Sequence, residues 1–181
     1  MGSRFYLVVG SSLVVAAVTN IQEVGSTNHN FGNGIKMDIF KSGSRSTKQA
    51  SSDYFTGTVW QDPIVEAPEP ARVRAIRVTF EPGARTAWHT HPLGQTLYVL
   101  SGTGLVGLRG EAPRIINSGD TVWIPPHEEH WHGATATNSM CHVAIQESDE
   151  GSVANWLEHV SDEDYKVPDI TAEKVYGALF K

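Results

Sequence analysis

A single cysteine, Cys141, stands in 181 residues. An intrachain disulfide and a cysteine-rich zinc knuckle are therefore excluded, and any metal ligands must be nitrogen and oxygen. Basic charge is also short. Fourteen Lys and Arg against twenty Asp and Glu give a net charge of −6, which lacks the basic stripe that a phosphate backbone requires and argues against nucleic acid as a partner. No apolar run reaches the roughly 20 residues of a membrane-spanning helix. The longest, Phe5 to Val18, is interrupted by Gly10-Ser11-Ser12. Residues 1–18 read as a secretory signal peptide, with Arg4 before the run and Val15-Ala16-Ala17 as a small-residue cleavage site. They read equally as an N-terminal hairpin turning at Gly10-Ser11-Ser12. Cytoplasmic and exported locations both stay open.

Helical period is nearly missing from the middle of the chain. Residues 19–53 are rich in Ser, Asn, Gly and Lys and read as an arm or linker. From Tyr54 to about Glu147, short apolar runs alternate with turn signals such as Glu81-Pro82-Gly83, Ser118-Gly119-Asp120 and Pro125-Pro126. That punctuation predicts one all-β sandwich or barrel over 54–147. In the tail, 148–181, Val153, Trp156, Leu157 and Val160 have the i, i+3, i+4, i+7 spacing of a short amphipathic helix packed on the barrel. Ser161 with Asp164 forms a capping-box start for another short helix.

What the chain does have is histidine in pairs, His89-Thr90-His91 and His130-Trp131-His132. On a strand, residues i and i+2 face the same side, so each pair presents two imidazoles to one face. Two pairs facing a barrel lumen would converge four rings. Imidazole with carboxylate or amide oxygen suits one divalent transition ion such as Mn, Fe, Ni, Zn or Cu.

The spacing of these residues is that of a known family. Gly83, His89, His91, Gln95 and Gly102 follow the first cupin motif, with Gln where most cupins carry Glu, and Gly119, Pro125 and His130 follow the second. His127 stands at a usual Gly of that motif and Ala134 at its usual Asn. Longer runs, Tyr54 to Val59, Val78 to Leu97, His130 to Ala134 and Ala144 to Glu147, resemble the bacterial manganese-dependent cupins that include hydroxynitrile lyases. The resemblance implies a single-domain double-stranded β-helix, or jelly-roll barrel, with short C-terminal helices. It implies metal ligation by His89, His91, Gln95 and His130, with manganese first and Fe, Ni or Zn as alternatives. It also implies a small-molecule substrate and a homo-oligomer. The neutral Gln95 leaves the full charge on the ion, which strengthens its Lewis acidity.

His132 shares the parity of His130, and because the second motif needs only one ligand it is expected as a general acid or base, the role that the resemblance to the lyase-like cupins implies, with a fifth ligand or a hydrogen-bonded wall residue as the alternative. His142 and Gln146 alternate on one face of a late strand and, with Thr86, are expected to line the substrate cavity. Arg74 shares parity with Ile76, Val78 and Phe80. It is either a rim clamp for an anionic substrate or a solvent-exposed strand end. Trp88 and Trp131, at the opposite parity, are expected in the core. The expected activity is a metal-dependent lyase that cleaves or forms cyanohydrins. A cupin dioxygenase and a non-enzymatic metal- or ligand-binding barrel are the alternatives.

Overall fold

The computed structural model describes residues 37–166; the apolar run at 1–18, His29, much of the arm and the end of the tail lie outside them. Among the described residues, twelve strands and one short helix follow in chain order. They are β1 (Lys48–Gln49), β2 (Phe55–Thr56), β3 (Val59–Glu66), β4 (Val73–Phe80), β5 (Arg85–Thr86), β6 (His89–Thr90), β7 (Gln95–Leu108), β8 (Arg114–Asn117), β9 (Thr121–Ile124), β10 (His130–Ala134), β11 (Met140–Glu147), β12 (Asn155–Trp156) and α1 (Asp162–Tyr165). β1 pairs with β3, so the sheet begins upstream of Tyr54, within the stretch whose composition reads as arm.

All neighbouring strands are antiparallel, and β7 holds the two halves of the fold together. Its first half lies between β11 and β9 in the series β1-β3-β4-β11-β7-β9; its second half lies between β10 and β8, with β5 and β6 beyond β10. The strand turns from one sheet to the other near Gly102, whose φ of +80° suits glycine and whose missing Cβ lets the Ser139 carbonyl approach. Opposite this bend, the β11 register shifts between Cys141 and His142, a bulge of the kind that lets sheets curl.

Alternation along these strands assembles the core. Val59, Val78, Phe80, Val99, Val106, Ile116 and Met140 are buried together, and Leu97, Ile124 and Ala144 form a second apolar group beside Ile76 and Val122. The opposite face of the second sheet buries Trp88 and Trp131 with Leu105 and Val160. Both tryptophans are core residues, as their parity predicts.

The amphipathic helix expected over 153–160 is not there. Asn155–Trp156 is a strand on β6, and Leu157 N–H donates to the Trp88 carbonyl while Trp88 N–H donates to that of Glu158. The four apolar side chains serve different surfaces. Trp156 stacks against Tyr54 and lies beside Phe55, whereas Leu157 and Val160 cover Trp88 and Trp131. An extended strap buries residues on alternate sides, and here that mimics helical spacing; tertiary contacts override the local period. The capping box does form. Ser161 Oγ accepts from Asp164 N–H at 3.0 Å and opens the four-residue α1.

Candidate metal centre

β10 places His130 and His132 on the inward face because they are two residues apart on one strand, and β6 sets His89 directly opposite His130. His91 follows in the turn before β7, whose first residue is Gln95. All five side chains are buried. The ring centroids of His89 lie 4.2 Å from His130, 5.1 Å from His91 and 5.3 Å from His132. Two inward-facing pairs thus converge.

The hydrogen bonds settle three tautomers. His89 Nδ1 meets the Ala87 carbonyl at 3.0 Å, His130 Nδ1 meets that of Glu128 at 2.9 Å, and His91 Nδ1 meets that of Val153. A carbonyl only accepts, so each Nδ1 carries the proton and each Nε2 carries a lone pair. This is the arrangement by which outer partners orient metal-binding imidazoles. Gln95 supplies a fourth acceptor. Its amide nitrogen donates to Gln146 Oε1 at 3.4 Å, leaving Oε1 facing His130 Nε2 at 3.2 Å. Two acceptors with no proton between them call for a cation, and the buried, unpartnered Nε2 of His91 adds a further lone pair. The donor set fits a transition-metal ion.

Among the described residues, His89, His130 and His132 form a group that could hold an ion, with one ligand atom from each lying within 4.8 Å of the others. His91 stands outside that group. His132 differs from the others in its support, since its Nδ1 lies 3.1 Å from His142 Nε2 rather than on a carbonyl. Proximity favours His132 as a ligand, whereas tautomer control favours His91.

Electrostatics agree with uncharged rings. Burial first, then neighbouring histidines, pushes His89 and His132 well below 6.5; burial lowers His91, brings His130 to about 4 and brings His142 to about 3. Neutral imidazole is the form that ligates a metal or accepts a proton.

Thr86 Oγ1 accepts from the backbone N–H of His132 at 3.2 Å. His142 contacts His132, and Phe80 packs against both rings. Gln146 orients Gln95. Arg74 is register partner of both Glu66 and Gln146, and its guanidinium lies 2.6 Å from the Glu66 carboxylate, so an acid of this chain already partners that charge.

A cupin domain model matches residues 76–145. The chain is 53% identical over 130 residues, 72% of its length and 99% of the relative's, to an (R)-mandelonitrile lyase of Granulicella tundricola. It is 42% identical to a cupin-like protein of Thermotoga maritima of known structure, covering 71% of this chain and 95% of that one with a TM-score of 0.62. The chain belongs to the cupin family. A polyketide cyclase of Streptomyces resistomycificus, 17% identical with a TM-score of 0.58 over 72% of this chain and 91% of that one, shares the fold alone.

Within this cupin, the departure at His127 has a structural counterpart. Its φ is +63°, the left-handed region that glycine occupies without strain, and its N–H donates to the His91 carbonyl at 2.9 Å. Residues 153–157 form a part of the site that sequence reading missed. The Val153 carbonyl orients His91, and the Trp156 ring lies 4.7 Å from that of His89. Backbone carbonyls leave no trace in composition, and the spacing of Trp156 with Val153, Leu157 and Val160 mimics a helical stripe.

Proposed function

We propose that this cupin is a metal-dependent lyase acting on small cyanohydrins, with His89, His91, Gln95 and His130 as ligands and His132 as general base. When bound, a divalent transition ion, manganese by family resemblance, supplies the Lewis acidity that lowers the pKa of a substrate hydroxyl. Among the described residues His132 Nε2 is buried without a partner, and the ring belongs to the same cluster as His89 and His130. With its Nδ1 proton donated to His142 Nε2, His132 Nε2 holds a lone pair that takes the hydroxyl proton. The C–CN bond then breaks with its electron pair leaving on cyanide, the oxygen forms the carbonyl, and His132 returns the proton to give hydrogen cyanide. His142 steadies the cationic ring by accepting from it. In reverse, cyanide adds to an aldehyde.

The observation carrying this reading is the free Nε2 of His132 beside three carbonyl-oriented imidazoles, in a chain 53% identical to a protein named as a mandelonitrile lyase. The test is cyanide release from mandelonitrile by metal-loaded protein, compared with His132→Gln. Removing a positioned base should lower kcat by about 10²–10⁴-fold. Undiminished turnover in His132→Gln would remove His132 from the role, and a requirement for molecular oxygen would replace the lyase by a dioxygenase. A homo-oligomer belongs to the same proposal, supported by Trp60, Tyr98, Trp123 and Ile145 exposed on outward positions of one sheet.

A further inference from the structure

The proposed ligands are held by unequal means. His130 lies in β10, which pairs with β7 over five residues, and Gln95 opens the long β7 between β11 and β9. His89 and His91 have a lighter frame. β6 is two residues long, meets β10 at the single register pair His89–His130, and has β12 on its other side at Thr90–Asn155 and His89–Trp156. β12 belongs to the strap 153–165, whose Val153 carbonyl accepts from His91 Nδ1 and whose Trp156 ring lies 4.7 Å from that of His89. Two of the four side chains are thus fixed by the sheet and two by the strap.

Arg85 fastens the far end of that strap. β5 sets it against Gly133 of β10, where a Cβ would lie only 2.7 Å from the Arg85 Cα and Cβ, so glycine is what lets the two strands close up. The Arg85 side chain is 8% exposed. Its Nε and Nη2 donate to the Val160 carbonyl at 3.3 and 3.0 Å, Nη2 donates also to Asp162 at 2.8 Å, and Nη1 donates to the Gly83 carbonyl at 3.4 Å. The guanidinium lies 4.6 Å from the ring centroid of Tyr165, whose hydroxyl donates to the Ala134 carbonyl at 2.8 Å. One planar fork therefore grips the strap by its backbone, an acid and an aromatic ring. For stability alone an apolar side chain packed here would serve as well, because a buried charge is costly to desolvate. The charge makes the grip reversible. Asp162 is 90% exposed, so lifting the strap passes both charges into water and strands neither.

We propose that Arg85 is a positioning residue for the metal centre: it keeps the strap docked, and undocking at Arg85 is the step that frees His89 and His91 for metal entry and release. The consequence for metal rests on the binding set proposed above; the positioning of His91 rests on the strap contacts alone. Opening breaks the strap contacts while the β7–β10 ladder stays closed, which is a local unfolding of the kind that occurs more often than global unfolding. His130 and Gln95 stay in place throughout.

Two readouts keep strap and metal apart. In the full-length metal-free protein, solvent exchange of imidazole protons is followed by NMR, because His91 Nδ1–H bonds to the strap whereas His130 Nδ1–H bonds to Glu128 outside it. Arg85→Met should speed exchange at His91 and at the Leu157 amide, which donates to Trp88, while His130 keeps its wild-type rate. In the manganese-loaded protein the same variant should release the ion to EDTA about 10–100-fold faster, the range by which outer partners of metal ligands affect binding. Arg85→Lys keeps the charge without the fork, and Asp162→Asn changes an exposed acid and leaves the core intact; both should fall between wild type and Arg85→Met. These two decide the matter if Arg85→Met does not fold. Exchange that quickens at His91 and His130 alike would reduce Arg85 to general support and overturn the proposal, as would wild-type exchange and release in every variant that folds. If wild type binds no manganese, the metal reading fails, and selective exchange at His91 still identifies Arg85 as the residue that positions that ring.

Discussion

Thr86→Val removes one atom's hydrogen-bonding capacity at the centre of the site while keeping the shape of the side chain. β10 is flanked by two short strands, β5 pairing at Gly133 and β6 at His130. Between them the ladder is interrupted at Ala87-Trp88, and the N–H of His132 turns to Thr86 Oγ1 at 3.2 Å. Both residues are buried, Thr86 at 1% exposure, so water cannot replace the lost acceptor. A buried donor left unpaired costs about 1–3 kcal/mol, and for a domain of this size each kcal/mol lowers Tm by about 4 °C. Thr86→Ser keeps the oxygen and should recover most of the loss, forfeiting only about 1 kcal/mol for the missing methyl. Urea unfolding of the three proteins without metal measures this directly, with the midpoint moving and the slope constant. Should Thr86→Val unfold within 0.5 kcal/mol of wild type, on the order of experimental scatter, the hydroxyl would not be supporting His132 and the assignment would fail.

The remaining predictions concern protonation and the C-terminal strap. The buried histidines have folded pKa values below their ordinary 6.5, with His130 near 4 and His142 near 3. The unfolded chain therefore binds protons that the native state refuses, so stability is complete above pH 6.5 and drains as pH falls toward those lower values. The urea midpoint of metal-free protein should decline steadily from pH 7 to pH 4.5; a flat profile would contradict buried neutral rings. Trp156 stacks on Tyr54 at 4.8 Å and lies 4.7 Å from His89. Trp156→Ala should destabilise by about 3 kcal/mol and speed metal loss to a chelator, and unchanged loss would show that the strap plays no part in holding His89.

Much of the centre is legible in the chain because strand parity is local. Spacing alone puts His130 and His132 on one side of β10, and His142 and Gln146 on the inward face of β11; the convergence of the two His pairs, with His91 in the turn before β7, is set by the β6–β10 pairing. What parity does not convey is how each ring is held. The carbonyls of Ala87, Glu128 and Val153 belong to the backbone, so no residue type announces them. Nor does spacing distinguish a helix stripe from a strap that buries Trp156 on one side and Leu157 and Val160 on another. The partner of Arg74 is set by the β3–β4 register, which brings Glu66 across from it; without that register the sequence leaves Arg74 as a solvent-exposed strand end or a rim clamp.

Metal binding by the carbonyl-oriented imidazoles and Gln95 underlies the proposed reaction. Elemental analysis of purified protein beside His130→Ala, each after reconstitution with manganese and removal of free ion, tests it most directly. About one ion per chain is expected in wild type and a marked loss in the variant, which lacks the lone pair facing Gln95. Wild type that retains no metal, or a variant that retains as much as wild type, would contradict it.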